Sequence, residues 1–473
     1  MAAGQGTRMR SATPKHMHPI VGRRMVDWVL EATRPLAPSR LVVVVSPGTA
    51  DRFADLETAV QKQPLGTGDA VRSARDALRD DAAADVLVLS GDTPLLTSSL
   101  LRDLLATHRR AGAAATVLSF VPEDTRSYGR IVRSGGGDLQ EIVEAADASP
   151  EVLEIREVNS SIYVFRGAQL WPALEHLSPH NAQGELYLTD AVRDLVDAGH
   201  AVAVHVAQDP REAEGVNTRV ELAAAAAVLR DRINEAHMLG GVAVVDPATT
   251  WIEASVELEA DSVIHPFTVL RGSTRVAAGA EVGPHAVVVD SEIGAGALVG
   301  PFCYVRPGTV LEAGAKAGTF VEIKNSRVGA RSKVPHLSYI GDADIGEDTN
   351  IAAGNITVNL GHEPGAGKSR TTIGRNVRTG VDNAFVAPVT IGDDAWTGAG
   401  SVITDDVPPN ALAVARARQV TKEGRGGKHD SGSVRDAQAR YGLGSPAARH
   451  RGHDGRLAAG QPPYAEEIGR AHV

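Results

Sequence analysis

Residues 258–288 read LEADSVIHPFTVLRGSTRVAAGAEVGPHAVV, and an aliphatic residue returns in this stretch at every sixth position. A period of six fits neither an α-helix nor an alternating strand, but it is typical of short parallel strands wound into a coil. Each turn of such a coil places one inward side chain on each face. The stretch therefore predicts a parallel β-helix, and a β-sandwich with chance spacing is the weaker alternative.

The same spacing continues, with a few slips, to Ile403, and glycine often follows the aliphatic residue where the coil must turn sharply. We predict a hexapeptide-repeat domain over residues 241–421. The repeated positions are Leu258, Ile264, Leu270, Val276, Val282, Val288, Ile293, Val299, Val305, Leu311, Ala317, Ile323, Val328, Val334, Ile340, Ile345, Ile351, Ile373, Thr379, Phe385, Ile391, Thr397 and Ile403.

Composition narrows the class of protein. The chain has 473 residues, a formal net charge of −10 and a single cysteine, Cys303. The length suggests two or three domains, and the negative charge argues against nucleic acid as the main partner. One cysteine suggests a reducing compartment, and we expect it to be a packed side chain. Without a bilayer-length apolar run or a secretory signal in this sequence, we expect a cytoplasmic protein with no membrane partner.

The first half of the chain alternates strand-like and helix-like stretches. Apolar runs at 41–45 and 86–89 end in Ser-Pro-Gly and Ser-Gly-Asp, as buried parallel strands do when their carboxyl ends face a ligand crevice. We predict a Rossmann-like, doubly wound α/β domain over residues 1–218. Residues 219–240 predict a connecting helix, and residues 422–473 predict a disordered tail of unexplained role.

The chain opens with Ala2-Ala3-Gly4-Gln5-Gly6-Thr7-Arg8-Met9, and Pro14-Lys15 follows. Two glycines before a helix let backbone N–H groups approach phosphate oxygens, and a lysine neutralises phosphate charge. A Gly-x-Gly pattern alone is weak evidence, because many loops carry one. The longer string is more specific, and it resembles the signature of sugar-phosphate nucleotidyltransferases.

Further segments strengthen this resemblance, and they follow the family's order. They are Gln61 with Leu65-Gly66-Thr67-Gly68, Gly91-Asp92-Thr93-Pro94, Tyr128-Gly129-Arg130, Ile142-Val143-Glu144, Val158-Asn159 and Glu214-Gly215-Val216-Asn217. The resemblance implies that Asp92 and Asn217 hold Mg²⁺ and that Arg8 and Lys15 act catalytically on phosphates. It implies that Gln61, Gly66 and Thr67 belong to the loop that reads the uracil of UTP, and that Gly129, Glu144 and Asn159 contact the sugar. It implies further UTP or sugar contacts at Gly4, Gly6, Lys15 and Asn217. Singly, Asp92 could be a turn residue and Lys15 a surface charge, but their ordered co-occurrence favours the site.

An α/β half of this kind, a helix and a hexapeptide coil together resemble the family of bifunctional N-acetylglucosamine-1-phosphate uridyltransferase/glucosamine-1-phosphate acetyltransferases. The coil carries that family's acetyl-transfer motifs, namely Arg306-Pro307-Gly308, Phe320-Val321-Glu322-Ile323-Lys324 and Pro335-His336-Leu337-Ser338-Tyr339-Ile340-Gly341-Asp342. The resemblance implies a left-handed coil, a homotrimer with sites between coils, and His336 as the base. It implies glucosamine-1-phosphate contacts at Arg306, Lys324, Tyr339, Asn350 and Lys368. It implies acetyl-CoA contacts at Ala353, Asn359, Leu360, Val381, Ala399 and Arg416.

The acetyl-transfer chemistry needs groups of these types. An ammonium cannot attack a thioester, so a base must first take its proton, and histidine suits that role near neutral pH. Arginine and lysine suit the sugar phosphate. Glu322 would orient His336 if the coil stacks the two residues side by side. Apart from the motif, a satisfied histidine on the flank of the coil would be the plainer interpretation of His336.

Three departures from the family pattern stand out. The apolar strand that precedes the opening motif in the family is absent from this sequence, so we expect unpaired neighbouring strands and an untethered glycine loop. A start upstream of Met1 is favoured over a damaged uridylyl half. Asn359-Leu360-Gly361-His362 replaces Asn-Tyr-Asp-Gly, with three extra residues before Lys368, and Val381 replaces a serine. Asn350-Ile351-Ala352-Ala353-Gly354 also departs from the family string, so we expect weaker acetyl-CoA binding or another acyl donor.

We therefore predict a bifunctional, Mg²⁺-dependent enzyme of UDP-N-acetylglucosamine synthesis for cell-wall precursors. It would acetylate glucosamine-1-phosphate from acetyl-CoA and then transfer UMP from UTP to the product. One alternative is a different sugar-1-phosphate nucleotidyltransferase whose coil is only structural. Another is a diverged paralogue, either a monofunctional acetyltransferase or a non-catalytic assembly protein.

Overall fold

The structure is a computed structural model that describes residues 1–4, 6–81, 84–125, 127–361 and 367–423. One compact unit spans Met1–Arg416, and a second unit begins at Ala417. The described residues of the second unit are exposed and lie outside helices and strands. Nearly all of the predicted tail therefore lies outside the described residues.

The first half of the chain is an α/β domain. Its strands are β1 (Pro19–Ile20), β2 (Arg23–Arg24), β3 (Val42–Val45), β4 (Glu57–Val60), β5 (Asp85–Val88), β6 (Ala115–Phe120), β7 (Arg130–Arg133), β8 (Leu139–Val143), β9 (Val158–Arg166) and β10 (Val202–Val206). Its helices are α1 (Met25–Thr33), α2 (Thr67–Ser73), α3 (Ser98–Ala111), α4 (Pro150–Leu153), α5 (Gly167–Glu175) and α6 (Leu188–Asp197). Short 3-10 helices lie at Thr7–Met9, Lys15–Met17, Arg34–Leu36, Ala50–Phe53, Asp76–Asp81 and Pro210–Ala213.

A mixed sheet forms the centre of this domain, in the order β10-β6-β9-β7-β8, and β5 also pairs with β9. Strand β6 is parallel to β10 and antiparallel to β9. Because side chains alternate along a strand, Val117 packs with α5 and α6 on one face while Leu118 packs with α3 on the other. The sheet is covered by helices on both faces, and the predicted fold class is confirmed for this half.

Strands β3 and β4 form a separate parallel pair beside β5. As expected, β3 and β5 are not paired with each other in the described part of the chain, and an apolar cleft of about 400 Å³ lies between them. The expectation of an untethered glycine loop is wrong. The Met1 ammonium donates to the Leu89 carbonyl at 2.7 Å, and the Ala2 amide donates to the Val44 carbonyl at 2.7 Å. These two residues hold the start of the loop between the strands.

Helix α7 (Arg219–Leu239) connects the two halves. It begins with a capping box, in which the Thr218 hydroxyl accepts from the Glu221 amide and the Glu221 carboxylate accepts from the Thr218 amide. Leu229 packs in a cluster with residues of the α/β domain. The side-chain amide of Asn234 donates to the Thr250 carbonyl of the coil at 3.0 Å. The helix is thus fixed to both halves by side-chain contacts.

None of the helices in the described ranges combines the length and the apolar composition that a bilayer crossing requires.

The second half is a coil of short parallel strands in three faces. Face 1 holds Ala243–Val244, Val263–Ile264, Glu281–Val282, Leu298–Val299, Lys316–Thr319, Lys333–His336, Trp396–Thr397 and Leu412–Ala413. Face 2 holds Trp251–Ile252, Val269–Arg271, Val287–Val289, Tyr304–Val305, Glu322–Lys324, Tyr339–Gly341, Ile356–Val358, Ala384–Val386 and Val402–Ile403. Face 3 holds Glu257–Leu258, Arg275–Val276, Glu292–Ile293, Val310–Leu311, Arg327–Val328, Ala343–Ile345, Thr371–Ile373 and Val389–Ile391.

The repeated aliphatic residues point into the coil, as the period of six predicts. On face 1, Ile264 lies beside Val282, which lies beside Val299. These side chains are buried and form one continuous cluster along the coil. The prediction of a left-handed parallel β-helix of hexapeptide repeats is confirmed.

The outward side chains differ between the faces. Face 3 presents polar or charged groups, apart from the partly exposed Val310. The corner between faces 1 and 2 instead carries a column of exposed rings, which we call the aromatic corner and which consists of Phe267, His285, Phe302 and Phe320. Successive ring centroids are 4.7, 4.8 and 5.3 Å apart. Leu337 continues this corner on the next turn and is also exposed.

Replacing one inward residue tests the coil. Val328 on face 3 is fully buried, so Val328→Ala removes apolar contacts and leaves a cavity. We expect the free energy of unfolding to fall by about 2–3 kcal/mol in urea titration. The matched control is Val245→Ala, because Val245 is 57% exposed and its loss should change stability by less than about 0.5 kcal/mol. Equal effects of the two substitutions would contradict the assignment of the inward column.

Candidate active sites

The α/β half gathers four of the predicted polar residues into one cluster. Lys15 donates hydrogen bonds to the Asp92 carboxylate and, at 2.9 Å, to the Asn217 side-chain oxygen. Arg8 donates to the same Asn217 oxygen at 2.9 Å. Gly6 lies directly against Lys15, because a Cβ at Gly6 would stand 2.4 Å from the Lys15 Cβ. The glycine therefore allows the lysine to fold over the loop towards the acidic side chain.

The neighbours of Asp92 stabilise its negative charge. Burial disfavours the ionised form of Asp92, but the ammonium of Lys15 and the hydroxyl of Ser90 outweigh it and lower the pKa of the carboxyl. Ser90 donates to Asp92 at 2.6 Å. One oxygen of Asp92 and one of Asn217 thus contact the same cation, the Lys15 ammonium. Both oxygens are of the types that Mg²⁺ prefers.

The predicted uracil loop is held by its own hydrogen bonds. The side-chain amide of Gln61 donates to the Gly66 carbonyl at 3.0 Å and to Asp69 at 3.0 Å. Gly66 has a φ of +116°, and a Cβ there would stand 2.5 Å from the Leu186 carbonyl oxygen. Thr67 accepts a hydrogen bond from the Leu188 amide at 3.0 Å. Gly4 has open space where a Cβ would lie, which leaves its backbone accessible.

The predicted sugar-binding residues form an adjoining cluster. The Asn159 amide donates to the Gly129 carbonyl at 2.8 Å, and a Cβ on Gly129 would stand 3.3 Å from the Glu144 carboxylate. Burial raises the pKa of Glu144, and this effect outweighs the hydrogen bond from Thr189, which acts to lower it. Because Thr189 follows Leu188, the start of α6 contacts the sugar cluster and the uracil loop together.

In the coil, one cluster lies on the outside of face 2. Arg306 donates to Glu322 at 2.7 Å, and Glu322 lies beside Tyr339 on the next turn. Lys324 reaches the Asp342 carboxylate at 3.5 Å. Lys368 also belongs to this cluster, because its hydrogen bond with Lys324 and the positive charge of Lys324 lower the pKa of Lys368. The structure therefore gathers Arg306, Lys324, Tyr339 and Lys368, all predicted to bind glucosamine-1-phosphate.

His336 lies at the end of its face 1 strand and is exposed, one residue before the corner with face 2. Three predicted acetyl-CoA positions continue this corner on later turns. The Gly354 amide, next to Ala353, donates to the His336 carbonyl at 3.4 Å. The Gly400 amide, next to Ala399, donates to the Val381 carbonyl at 2.8 Å. Ala353, Val381 and Ala399 thus form one column that begins at His336, and we call it the corner column.

Other predicted residues lie elsewhere. Glu322 stacks on face 2 and binds Arg306, whereas His336 stacks beside Thr319 on face 1, so the two do not stack side by side. Asn350 lies on face 1, around the corner from the other predicted sugar-phosphate ligands. Arg416 is exposed at the end of the first unit.

The altered loop near the cofactor side is partly described. The Asn359 side chain is buried and donates to Asp342, and the exposed Leu360 lies opposite Lys368. The three-residue insertion falls largely within residues 362–366, outside the described residues. The sequence analysis did not identify Ser90 or Asp342 as site residues. Asp342 could have been found, because it follows Lys324 by 18 positions, which is one turn of the coil and places the two residues side by side.

Comparison with known proteins places these sites in a family. The model of the MobA-like NTP transferase domain matches residues 1–202. The bifunctional protein GlmU of Streptomyces coelicolor is 48% identical over 90% of this chain and 92% of its own length. That of Mycobacterium tuberculosis is 46% identical over 98% of this chain and 96% of its own length. The chain belongs to the GlmU family.

Membership in the GlmU family confirms the predicted enzyme class. The chain is a bifunctional transferase that joins a nucleotidyltransferase domain to an acetyltransferase coil, and it acts on small-molecule substrates. A different nucleotidyltransferase with a merely structural coil is not favoured. A diverged paralogue is not favoured either, since the GlmU relatives match both halves at this level of identity.

The buried histidine next to Lys15 predicts a pH dependence of stability. Burial lowers the pKa of His16 to about 4, and the charges of the Met1 ammonium, Lys15 and Arg24 act in the same direction against Asp92. The unfolded chain binds this proton near pH 6.5, so the folded state loses stability as the pH falls from about 6.5 towards 4. The free energy of unfolding should therefore fall between pH 7 and pH 4.5, and we expect this fall to be smaller by about 2–3 kcal/mol in His16→Gln.

Urea titrations of both proteins across this range measure the difference. Groups that the variant leaves unchanged, such as the buried His108 and the Asp92 carboxyl with its lowered pKa, supply the remaining slope. An identical pH dependence of unfolding in the two proteins would refute the assignment to His16.

Proposed function

We propose that the coil acetylates glucosamine-1-phosphate from acetyl-CoA and that the α/β half then transfers UMP from UTP to the product. The observation that carries this proposal is the gathering of Arg306, Lys324, Tyr339 and Lys368 beside a corner column that begins at His336. Three cations and a phenol suit a sugar phosphate, and a flanking histidine suits deprotonation of its amine.

In the acetyl transfer, the amine nitrogen of the sugar attacks the thioester carbonyl carbon. A C–N bond forms and the C–S bond breaks. The CoA sulfur takes up the proton that the nitrogen loses on becoming an amide, and CoA leaves as a thiol. His336 accepts the proton that the ammonium must lose before the attack, and its exposed position at the corner leaves room for both substrates. Arg306 and Lys324 fix the phosphate and thereby orient the amine.

The corner column suits the acyl donor because its residues leave a path along the coil. Ala353 and Ala399 are small, and Val381 is exposed between them on the intermediate turn. Val381 offers no hydroxyl, and Leu360 offers no aromatic ring. We therefore propose that acetyl-CoA is the donor and that it binds with fewer polar contacts than the family pattern provides.

In the uridylyl transfer, the phosphate oxygen of N-acetylglucosamine-1-phosphate attacks the α-phosphorus of UTP, and pyrophosphate leaves. Arg8 and Lys15 neutralise the charge that gathers on the phosphate oxygens. Asp92 and Asn217 would hold Mg²⁺, which supplies further charge neutralisation when bound. These two residues suit Mg²⁺ because the Asp92 carboxylate is ionised and because it and the Asn217 oxygen already accept hydrogen bonds from one cation, the ammonium of Lys15. Gln61, Thr67 and the sugar cluster orient the two substrates.

We also propose that the protein assembles as a homotrimer through the corner between faces 1 and 2. The aromatic corner exposes three phenylalanine rings and one histidine ring in a stack there, whereas face 3 is mostly polar and suits water. Asn350 lies on face 1 while Lys324 and Tyr339 lie on face 2. Sites between copies would let the Asn350 side chain of one copy complete the face 2 cluster of another.

Two substitutions test the division of labour. His336→Ala should lower acetyl transfer by about 100-fold or more and leave uridylyl transfer unchanged, because only the first reaction needs this base. Asp92→Ala should do the reverse, because it removes a charged metal ligand. Each variant is the control for the other in assays of both half-reactions. Equal loss of both activities in either variant would refute the proposal.

A charge at the aromatic corner tests the assembly. Phe320 is exposed and stacked on Phe302, so Phe320→Glu places a carboxylate in the proposed interface and should convert trimers to monomers. The control is Thr372→Glu on the exposed side of face 3, which should keep the trimer. Light scattering after size-exclusion chromatography gives the mass. A trimeric Phe320→Glu variant would contradict this interface.

A further inference from the structure

A buried carboxylate lies behind the coil's substrate cluster. Asp342 follows the face 2 strand Tyr339–Gly341 and is only 4% exposed, with a φ of +49° at the turn. Its amide donates to the Lys324 carbonyl at 2.9 Å, and its carbonyl accepts from the Thr371 amide at 3.1 Å. The backbone on both sides therefore fixes where this side chain can reach.

The two carboxylate oxygens of Asp342 have different partners. Oδ1 accepts from the side-chain amide of Asn325 at 2.5 Å. Oδ2 accepts from the side-chain amide of Asn359 and lies 3.5 Å from the ammonium of Lys324. One oxygen thus contacts a predicted ligand of the sugar phosphate and a predicted ligand of acetyl-CoA together.

The charge of Asp342 is maintained despite its burial. Burial favours the neutral acid, but hydrogen bonds from Asn325 and Asn359 and the charges of Lys324 and Lys368 lower the pKa of the carboxyl. A buried charge of this kind is costly to keep unless its partners are fixed. The carboxylate also offsets the repulsion between the two neighbouring ammonium groups.

We propose that Asp342 is a positioning residue for acetyl transfer, which holds Lys324 towards the sugar phosphate and Asn359 towards acetyl-CoA through a single carboxylate oxygen. This inference rests on the proposed function of the coil. Without the negative charge, Lys324 loses its anchor beside Lys368, and the Asn359 amide loses an ionised acceptor. Both substrate sites then weaken, although His336 keeps its place at the corner.

The substitution Asp342→Asn separates this role from a structural one. Asparagine keeps the size of the side chain and tolerates a positive φ, so the turn is retained. We expect KM to rise about tenfold for glucosamine-1-phosphate and several-fold for acetyl-CoA, because charged hydrogen bonds become neutral. The kcat of acetyl transfer should stay within about twofold, because the base is untouched. Uridylyl transfer by the same full-length protein should be unchanged.

The matched control is Asp348→Asn. Asp348 also lies at a coil turn with a φ of +58° and binds a cation, Arg331, but it is exposed and outside the substrate cluster. Its substitution should leave both KM values unchanged. Unchanged KM values in Asp342→Asn would overturn the inference, and so would a fall in kcat alone or a loss of melting temperature with both KM values intact.

A second comparison distinguishes this inference from the proposed function. If the unmodified protein acetylates glucosamine-1-phosphate and Lys324→Ala raises its KM, the proposed function stands whatever Asp342→Asn does. If the unmodified protein lacks that activity, the proposed function fails and the inference fails with it. The double variant with Lys324→Ala should bind glucosamine-1-phosphate no more weakly than Lys324→Ala alone, since Asp342 acts there through Lys324.

Discussion

The stacking of parallel strands, one inward aliphatic residue per face, is the constraint on which the coil depends. Backbone hydrogen bonds run from turn to turn, so most residues lie beside a counterpart 17 or 18 positions along the chain, as Ile264, Val282 and Val299 do. One longer turn separates the paired residues Ile356 and Ala384. Because the interior is filled by this column, every functional side chain must lie on an outer face or at a corner. The cluster on face 2 and the corner column at His336 both follow from this geometry.

Three of the predicted phosphate-binding cations each rest on a carboxylate partner. Lys15 lies between Asp92 and Asn217, Arg306 binds Glu322, and Lys324 lies near Asp342. Such pairs keep long cationic side chains in one orientation before substrate arrives, which reduces the ordering that binding must bring about. The same device therefore occurs in a mixed α/β sheet and in a β-coil, although the two supports share no geometry.

The period of six was sufficient to predict the coil, because burial of one residue in six is written directly into the sequence. Through the family resemblance, the ordered motifs assigned Lys15, Asp92 and Asn217 to one site, and the structure brings these three side chains together. They assigned Arg306, Lys324, Tyr339 and Lys368 to a second site, and these side chains gather on the outside of face 2. The motifs could not show that Glu322 contacts Arg306 and not His336. That contact depends on the face on which each residue lies, and the slips in the six-residue repeat change the face. The position of Asn350 on face 1 depends on the same slips. The pairing of Met1 and Ala2 with neighbouring strands required backbone geometry that no local pattern encodes.

The apolar cleft between β3 and β5 has a consequence for the nucleotide site. Gln61 follows β4, which pairs with β3 on one side of this cleft, and Asp92 follows β5 on the other side. A cleft lacks the van der Waals contacts of a packed interface. Strands β3 and β5 are therefore held together less firmly than neighbouring strands of the main sheet. A nucleotide that contacts both Gln61 and Asp92, as proposed above, connects the two sides of the cleft. Part of its binding free energy then appears as stability of the α/β half, so nucleotide affinity and resistance to unfolding are linked quantities in this domain.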